Sequence, residues 1–138
     1  MTIKQLQANY KRLIKIIPNL ETMQAGDYIK LESGSYMDLN IDILEKNDDY
    51  MILSMAHNSI QNGDIMADPD MQIKLHYNNG MDSGMIEPLT YQNDFMGIFN
   101  KVYKTIDGKK YINRKLCNSL NSFLRTWLIN LKNQGFKA

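Results

Sequence analysis

The residues of this 138-residue chain best equipped for metal chemistry are His57 and His76 with the carboxylates Asp64, Asp68 and Asp70. A zinc site needs three or four N, S or O donors converging on one point, and a calcium loop needs regularly spaced oxygen ligands around a glycine turn. The run Asp64-x-x-x-Asp68-x-Asp70 lacks the EF-hand spacing, its glycine at the sixth position and its closing Glu. Strand alternation also parts the histidines. His76 falls on the wet side of its strand with Asp70, Gln72 and Lys74, while His57 shares a side with Met51, Leu53 and Met55. A half-buried, hydrogen-bonded imidazole is therefore the expectation at His57, and no metal or cofactor is expected. Covalent chemistry has as little support. Cys117 lies beside the apolar stripe of the last helix, the usual place for a packed thiol. There is no strained Gly-x-Ser-x-Gly elbow, no Ser-His-Asp ordering and no glycine loop ahead of a Lys-Ser/Thr pair. A non-enzymatic protein is expected, with a small metal-dependent enzyme resting on His57 and His76 as the enzymatic alternative.

Charge says more than any motif. The formal net charge is +1, yet residues 1–37 carry a net +2, residues 38–94 a net −9 and residues 95–138 a net +8. Such segregation bears on partners and association rates rather than on fold. In the acidic block, Asp38 and Asp42 alternate with Asn40 on the expected wet face of a strand, and Asp70 joins them from another. Asp38, Asp42, Asp68, Asp70 and Glu87 are the candidate contacts to a protein with a basic surface. In the basic block, Lys101, Lys104, Lys109, Lys110, Arg114 and Lys115 interleave with Tyr103 and Tyr111. Cations among aromatics suit phosphate contact with base stacking, so nucleic acid is the alternative partner. A near-neutral total argues for the bland reading, a solvated patch.

The elements that must position these residues follow from periodicity. Ile3, Leu6, Tyr10, Leu13, Ile14 and Ile17 recur at helical steps, with Thr2 as N-cap and Pro18-Asn19 as the stop. The opposite face carries Lys4, Lys11, Arg12 and Lys15, read as a solvated face. Strands are expected over residues 28–32, 36–44, 50–57, 70–77 and 85–91, with residues 58–69 as a loop because they hold Asn62-Gly63-Asp64 and Asp68-Pro69. Asn79-Gly80 and Ser83-Gly84 read as turns, and Pro88 puts its strand at an edge or a bulge. Residues 95–112 are ambiguous between sheet and last helix, and Asp107-Gly108 could close a small hairpin there. Leu116, Leu120, Phe123, Leu124, Trp127, Leu128 and Leu131 form the stripe of a last helix between Asn113 and Gly135. The expected fold is α+β, a mostly antiparallel sheet of four or five strands covered on one face by the two terminal helices.

Composition sets the outer bounds. Apolar residues at 43% and charged residues at 22% describe a globular chain of one domain's length, residues 1–138. No run approaches the roughly 18 apolar residues of a membrane span. One cysteine allows no internal disulfide and the N-terminus has no apolar signal core, so a cytoplasmic location is expected. Of the ten methionines, most should fill gaps in the core. Heavy use of Ile and Asn against five Ala is the skew of an AT-rich coding sequence.

Four tracts occur in an order that resembles a known group: Asn9-Tyr10-x-x-Leu13 with Pro18-Asn19-Leu20, Ala67-Asp68-Pro69-Asp70-Met71, Leu89-Thr90-Tyr91-Gln92, and Leu120-Asn121-x-Phe123-Leu124-x-x-Trp127-Leu128. Together they resemble the YqiB-like proteins, small bacterial proteins of unknown function with relatives on plasmids, phages and integrative elements. The resemblance implies a domain without assigned catalytic residues. Joined to the acidic block, it leads to an expected role as a protein-binding accessory factor of a mobile element or phage. A counter-defence inhibitor of the anti-CRISPR kind, seated on a cationic channel, is the concrete form of that expectation.

Overall fold

Thr2 opens the first helix. Its hydroxyl accepts from the Gln5 amide while the Gln5 side chain accepts from the Thr2 amide, a reciprocal capping box that satisfies two donors a helix start leaves bare. The computed structural model describes residues 2–78 and 80–138. Helix α1 spans Ile3–Ile16, and a 3-10 turn at Leu20–Thr22 follows the Pro18 stop. The strands are β1 (Tyr28–Leu31), β2 (Leu39–Lys46), β3 (Tyr50–Gln61), β4 (Asp64–His76), β5 (Met85–Pro88), β6 (Thr90–Asn93), β7 (Ile98–Lys101), β8 (Tyr103–Ile106) and β9 (Lys109–Ile112). Helix α2 spans Arg114–Asn133, with the Asn113 side chain accepting from the Leu116 amide and Gly135 at φ 90° just past its end.

The sheet is antiparallel throughout, in the order β1-β2-β3-β4-β6-β7 with β5 also paired to β4, and β8-β9 form a separate hairpin. The fold is therefore α+β as the periodicity implies, with seven strands in the main sheet where four or five were expected. Alternation buries one face. Leu39, Ile41 and Ile43 of β2, Met51, Leu53 and Met55 of β3, and Met71, Ile73 and Leu75 of β4 are all buried, and register places Ile41 opposite Met55 and Leu53 opposite Ile73. Against them pack Leu13, Ile16 and Ile17 of the N-terminal segment and Leu120, Leu124, Leu128 and Leu131 of α2. Met51, Met55 and Met71 are core methionines, whereas Met96 is 68% exposed.

Residues 58–69 are not a loop. They continue β3 and β4 as a two-stranded ribbon, turning through Asn62 and Gly63 at φ 53° and 83°. Two residues with positive φ make the tight turn that suits a right-handed ribbon, so the Asn-Gly pair marks a hairpin tip and not a flexible connection. The base of the ribbon is fastened by Asp94, whose carboxylate accepts from the Ala67 amide at 2.7 Å and whose own amide donates back to the Ala67 carbonyl. Pro88 ends β5 and the ladder breaks at Leu89 before β6 resumes, in keeping with the expected irregularity there. The Asn79-Gly80 turn expectation falls on Asn79, outside the described residues. Gly84 packs under Tyr10: a Cβ there would lie 2.6 Å from the His76 carbonyl oxygen and 2.7 Å from the Tyr10 ring.

No helix among the described residues is long and apolar enough to cross a membrane.

Candidate functional site

The helices cover one face of the sheet and leave the other open. On that open face, register sets Lys74 between Ile52 and Glu87, Gln72 beside Ser54, and Lys101 opposite Thr90. The β8–β9 hairpin folds over this surface. Val102, fully buried, fixes it at both ends: its amide donates to the Leu89 carbonyl and its carbonyl accepts from the Asn113 amide. Between hairpin and sheet lies a groove of about 440 Å³, lined by Tyr50, Gln72, Lys74, Glu87, Lys101, Tyr103 and Lys110 among others.

Glu87 is the tie that holds the groove in shape. Its side chain is 15% exposed, and its two oxygens accept from His76 Nε2 at 3.0 Å and from the Tyr103 hydroxyl at 2.9 Å. Burial pushes the carboxyl up, but the hydrogen bonds from His76 and Tyr103 and the nearby positive charge outweigh it, and the pKa ends below the ordinary carboxylate value. The Tyr103 phenol is pushed to about 12 by burial and by donating to that carboxylate. A general acid or base works best with a pKa near the operating pH, and these two groups are driven away from it in opposite directions. Neither of these two groups is tuned for proton transfer near neutral pH.

Two of its cations rest on aromatic rings. Lys74 Nζ lies 4.2 Å from the centroid of the Tyr50 ring and Lys110 Nζ 4.5 Å from that of Tyr103. A ring face attracts an ammonium without neutralising it, and the Lys74 charge also acts on the Glu87 carboxylate opposite it. Among the described residues, no carboxylate lies within ion-pair distance of Lys74, Lys101 or Lys110.

The residues singled out from sequence are dispersed over several places. Lys101 and Lys110 line the groove. Lys104 and Lys109 alternate to the other side of the hairpin with Tyr111, and Arg114 and Lys115 belong to the first turn of α2. Glu87 sits among the lysines rather than with the aspartates. Asp38 is paired with Lys30 at 3.1 Å, and Asp68 accepts from Asn93 Nδ2 at 3.3 Å at the ribbon base. Of the five acidic candidates, Asp42 and Asp70 come together, with Asp94 beside them. Lys74 and Tyr50 were missed, although alternation already put both on the wet side of their strands. Cys117 is buried, and burial pushes its thiol pKa up, followed by the Glu87 charge.

His57 is half-buried and satisfied. The Trp127 indole N–H can only donate, and it does so to His57 Nε2 at 3.1 Å, so the proton resides on Nδ1 and is donated to the Asp38 carbonyl at 3.0 Å. No group of three or more His, Cys, Asp or Glu side chains among the described residues converges to hold a metal ion.

Asp70 carries a pH dependence. Burial first, then the Asp42 and Asp94 charges, hold its pKa above the ordinary carboxylate value. The folded chain therefore binds this proton more tightly than the unfolded one. The resulting penalty is absent below the ordinary pKa and complete once pH has risen past the folded value. Asp70→Asn is expected to raise the melting temperature at pH 7 and to give no gain at about pH 3, below both values. Thermal melts at the two pH values check this, and an equal gain at both would contradict it.

Compared with known proteins, residues 9–137 match the family model described as Domain of unknown function (DUF6908). No curated protein and no solved structure matches the chain.

Proposed function

We propose, for a chain that belongs to this family of unknown function, a non-enzymatic binding role in which the groove under the β8–β9 hairpin holds single-stranded nucleic acid. One observation carries the reading: Lys74, Lys101 and Lys110 converge on one groove, two of them resting on tyrosine rings and none ion-paired among the described residues. Ammonium groups take up phosphates, and the Tyr50 and Tyr103 walls offer faces on which unpaired bases can stack. Titrating a fluorescein-labelled oligothymidylate at low salt and following its anisotropy tests the reading. Saturable binding that weakens with salt supports it, and no binding at low salt overturns it.

A second reading keeps the acidic end of the same face. Asp42, Asp70 and Asp94 repel one another, and a cation from a partner would relieve the raised Asp70 carboxyl. The partner would be a protein with a basic surface, as for a counter-defence factor of a phage or plasmid, the setting to which the YqiB-like resemblance pointed. Fewer groups support it, because Lys30 already pairs with Asp38, and Glu87 is bonded to His76 and Tyr103.

A further inference from the structure

The two helices carry cations and nothing to balance them. Lys4, Lys11, Arg12 and Lys15 in α1, with Arg114, Lys115, Arg125 and Lys132 in α2, are the only charged side chains of either helix. Helix stability does not account for this choice. Lys4, Arg114 and Lys115 stand in first turns, where the helix dipole disfavours positive charge. A solvated helix face ordinarily mixes both signs to gain i,i+4 pairs.

Part of this charge is gathered along the seam between the helices. Steps of eight and three residues keep Lys4, Arg12 and Lys15 in one row of α1, and Arg125 and Lys132, seven apart, form a row of α2. A cavity of about 270 Å³ in the seam is lined by Lys4, Gln5, Asn9, Arg12, Asn121 and Arg125, among others. The next cavity, about 250 Å³, shares Arg12 and adds Lys15 and Lys132. The floor is built of buried amides: Asn9, 1% exposed, donates to Asn121 Oδ1 at 3.1 Å, and its own Oδ1 accepts from an Arg12 guanidinium nitrogen at 2.9 Å. Arg12 is thus oriented by a neutral amide where a carboxylate would have cancelled its charge. Asn121, 6% exposed, spends its side-chain oxygen on Asn9.

We infer that this seam is a second anion site, separate from the groove on the opposite face of the sheet, and that it takes the phosphodiester backbone of nucleic acid. A guanidinium fixed by a buried amide, with Lys4 and Arg125 alongside, gives convergent charged donors of the kind that phosphate oxygens accept. The row from Lys4 to Lys15 runs about 16 Å at 1.5 Å per residue. Along duplex DNA, with one charge per about 3.4 Å of each strand, that length spans about five phosphates of one strand. A site of that reach is matched to a polymer rather than to one phosphate.

The test uses the full chain, a 20-base-pair DNA duplex and inorganic phosphate. Lys4→Glu with Arg125→Glu changes two lining cations that make no internal hydrogen bond among the described residues, so the Asn9–Arg12 floor is kept. Duplex affinity at low salt should fall at least about tenfold and the log–log salt slope should shrink by about two, near 0.9 for each phosphate no longer neutralised, with the far-UV spectrum unchanged. Millimolar phosphate should not displace the duplex. Unaltered affinity and slope in the double variant would overturn the inference, as would displacement by millimolar phosphate. Lys101→Glu with Lys110→Glu should leave this duplex binding intact, so failure of the seam and failure of the groove are read separately.

Discussion

Reversing Lys101 and Lys110 to glutamate is expected to weaken oligothymidylate binding by about a hundredfold or more at low salt. The two ammonium groups close the groove from different elements, Lys101 from β7 and Lys110 from β9. A hydrogen bond to a charged group contributes about 1.5–3 kcal/mol, so losing two amounts to at least about 3 kcal/mol, or two factors of ten. Repulsion by the new carboxylates adds to that loss. The salt slope should also fall by about 1.4, near 0.7 for each single-strand phosphate released. Both side chains are exposed, so the fold should survive. Lys104→Glu with Lys109→Glu, which changes the charge equally on the far side of the hairpin, is the matched control. If the control pair weakened binding as much as the groove pair, net charge rather than the groove would be responsible.

Trp127→Ala is expected to be the most destabilising single change on the helix side of the sheet. Trp127 is 6% exposed, packs at a tilt with its ring centroid 5.5 Å from that of His57 and 5.9 Å from that of Phe123, and donates its indole N–H to His57. Truncating a buried tryptophan costs about 3–5 kcal/mol, and the unpaired His57 nitrogen adds to it. Trp127→Phe keeps most of the ring packing and loses the donor, so its cost should be nearer 1 kcal/mol, the worth of one ordinary hydrogen bond. Urea unfolding followed by circular dichroism separates the two. Equal midpoints for wild type and Trp127→Ala would mean that the aromatic cluster around His57 contributes nothing.

The parts of this architecture that follow a local period were legible before any coordinates. The α1 and α2 stripes, the Thr2 and Asn113 caps, the alternation of β2 and the Asp107-Gly108 hairpin each depend on neighbours in sequence. The β3–β4 ribbon was not legible, because Asn62-Gly63 and Asp68-Pro69 are turn formers in isolation. Only the second of these lies within a strand, and there its neighbour Ala67 is bonded by Asp94, a residue 27 positions away. The groove was half legible. Alternation could place Lys74 and Tyr50 on the wet face and composition could flag Lys101 and Lys110. Their convergence depends on Tyr103 reaching Glu87 across the sheet, a pairing that no period encodes.

The charge blocks were legible as numbers but not as surfaces. Several acids of the middle block are spent locally, Asp38 on Lys30, Asp68 on Asn93 and Asp94 on the Ala67 amide. Of the expected acidic docking array, Asp42 and Asp70 remain together. The basic face of α1, read from sequence as ordinary solvated charge, lines cavities shared with Arg125 and Lys132 of α2.

The claim that Lys74, Lys101 and Lys110 grip the phosphates of a single strand is tested most directly by the salt dependence of oligothymidylate affinity for the unaltered protein. Three single-strand phosphates at about 0.7 each give an expected log–log slope of about −2. A slope near zero, or an affinity that rises with salt, would contradict it.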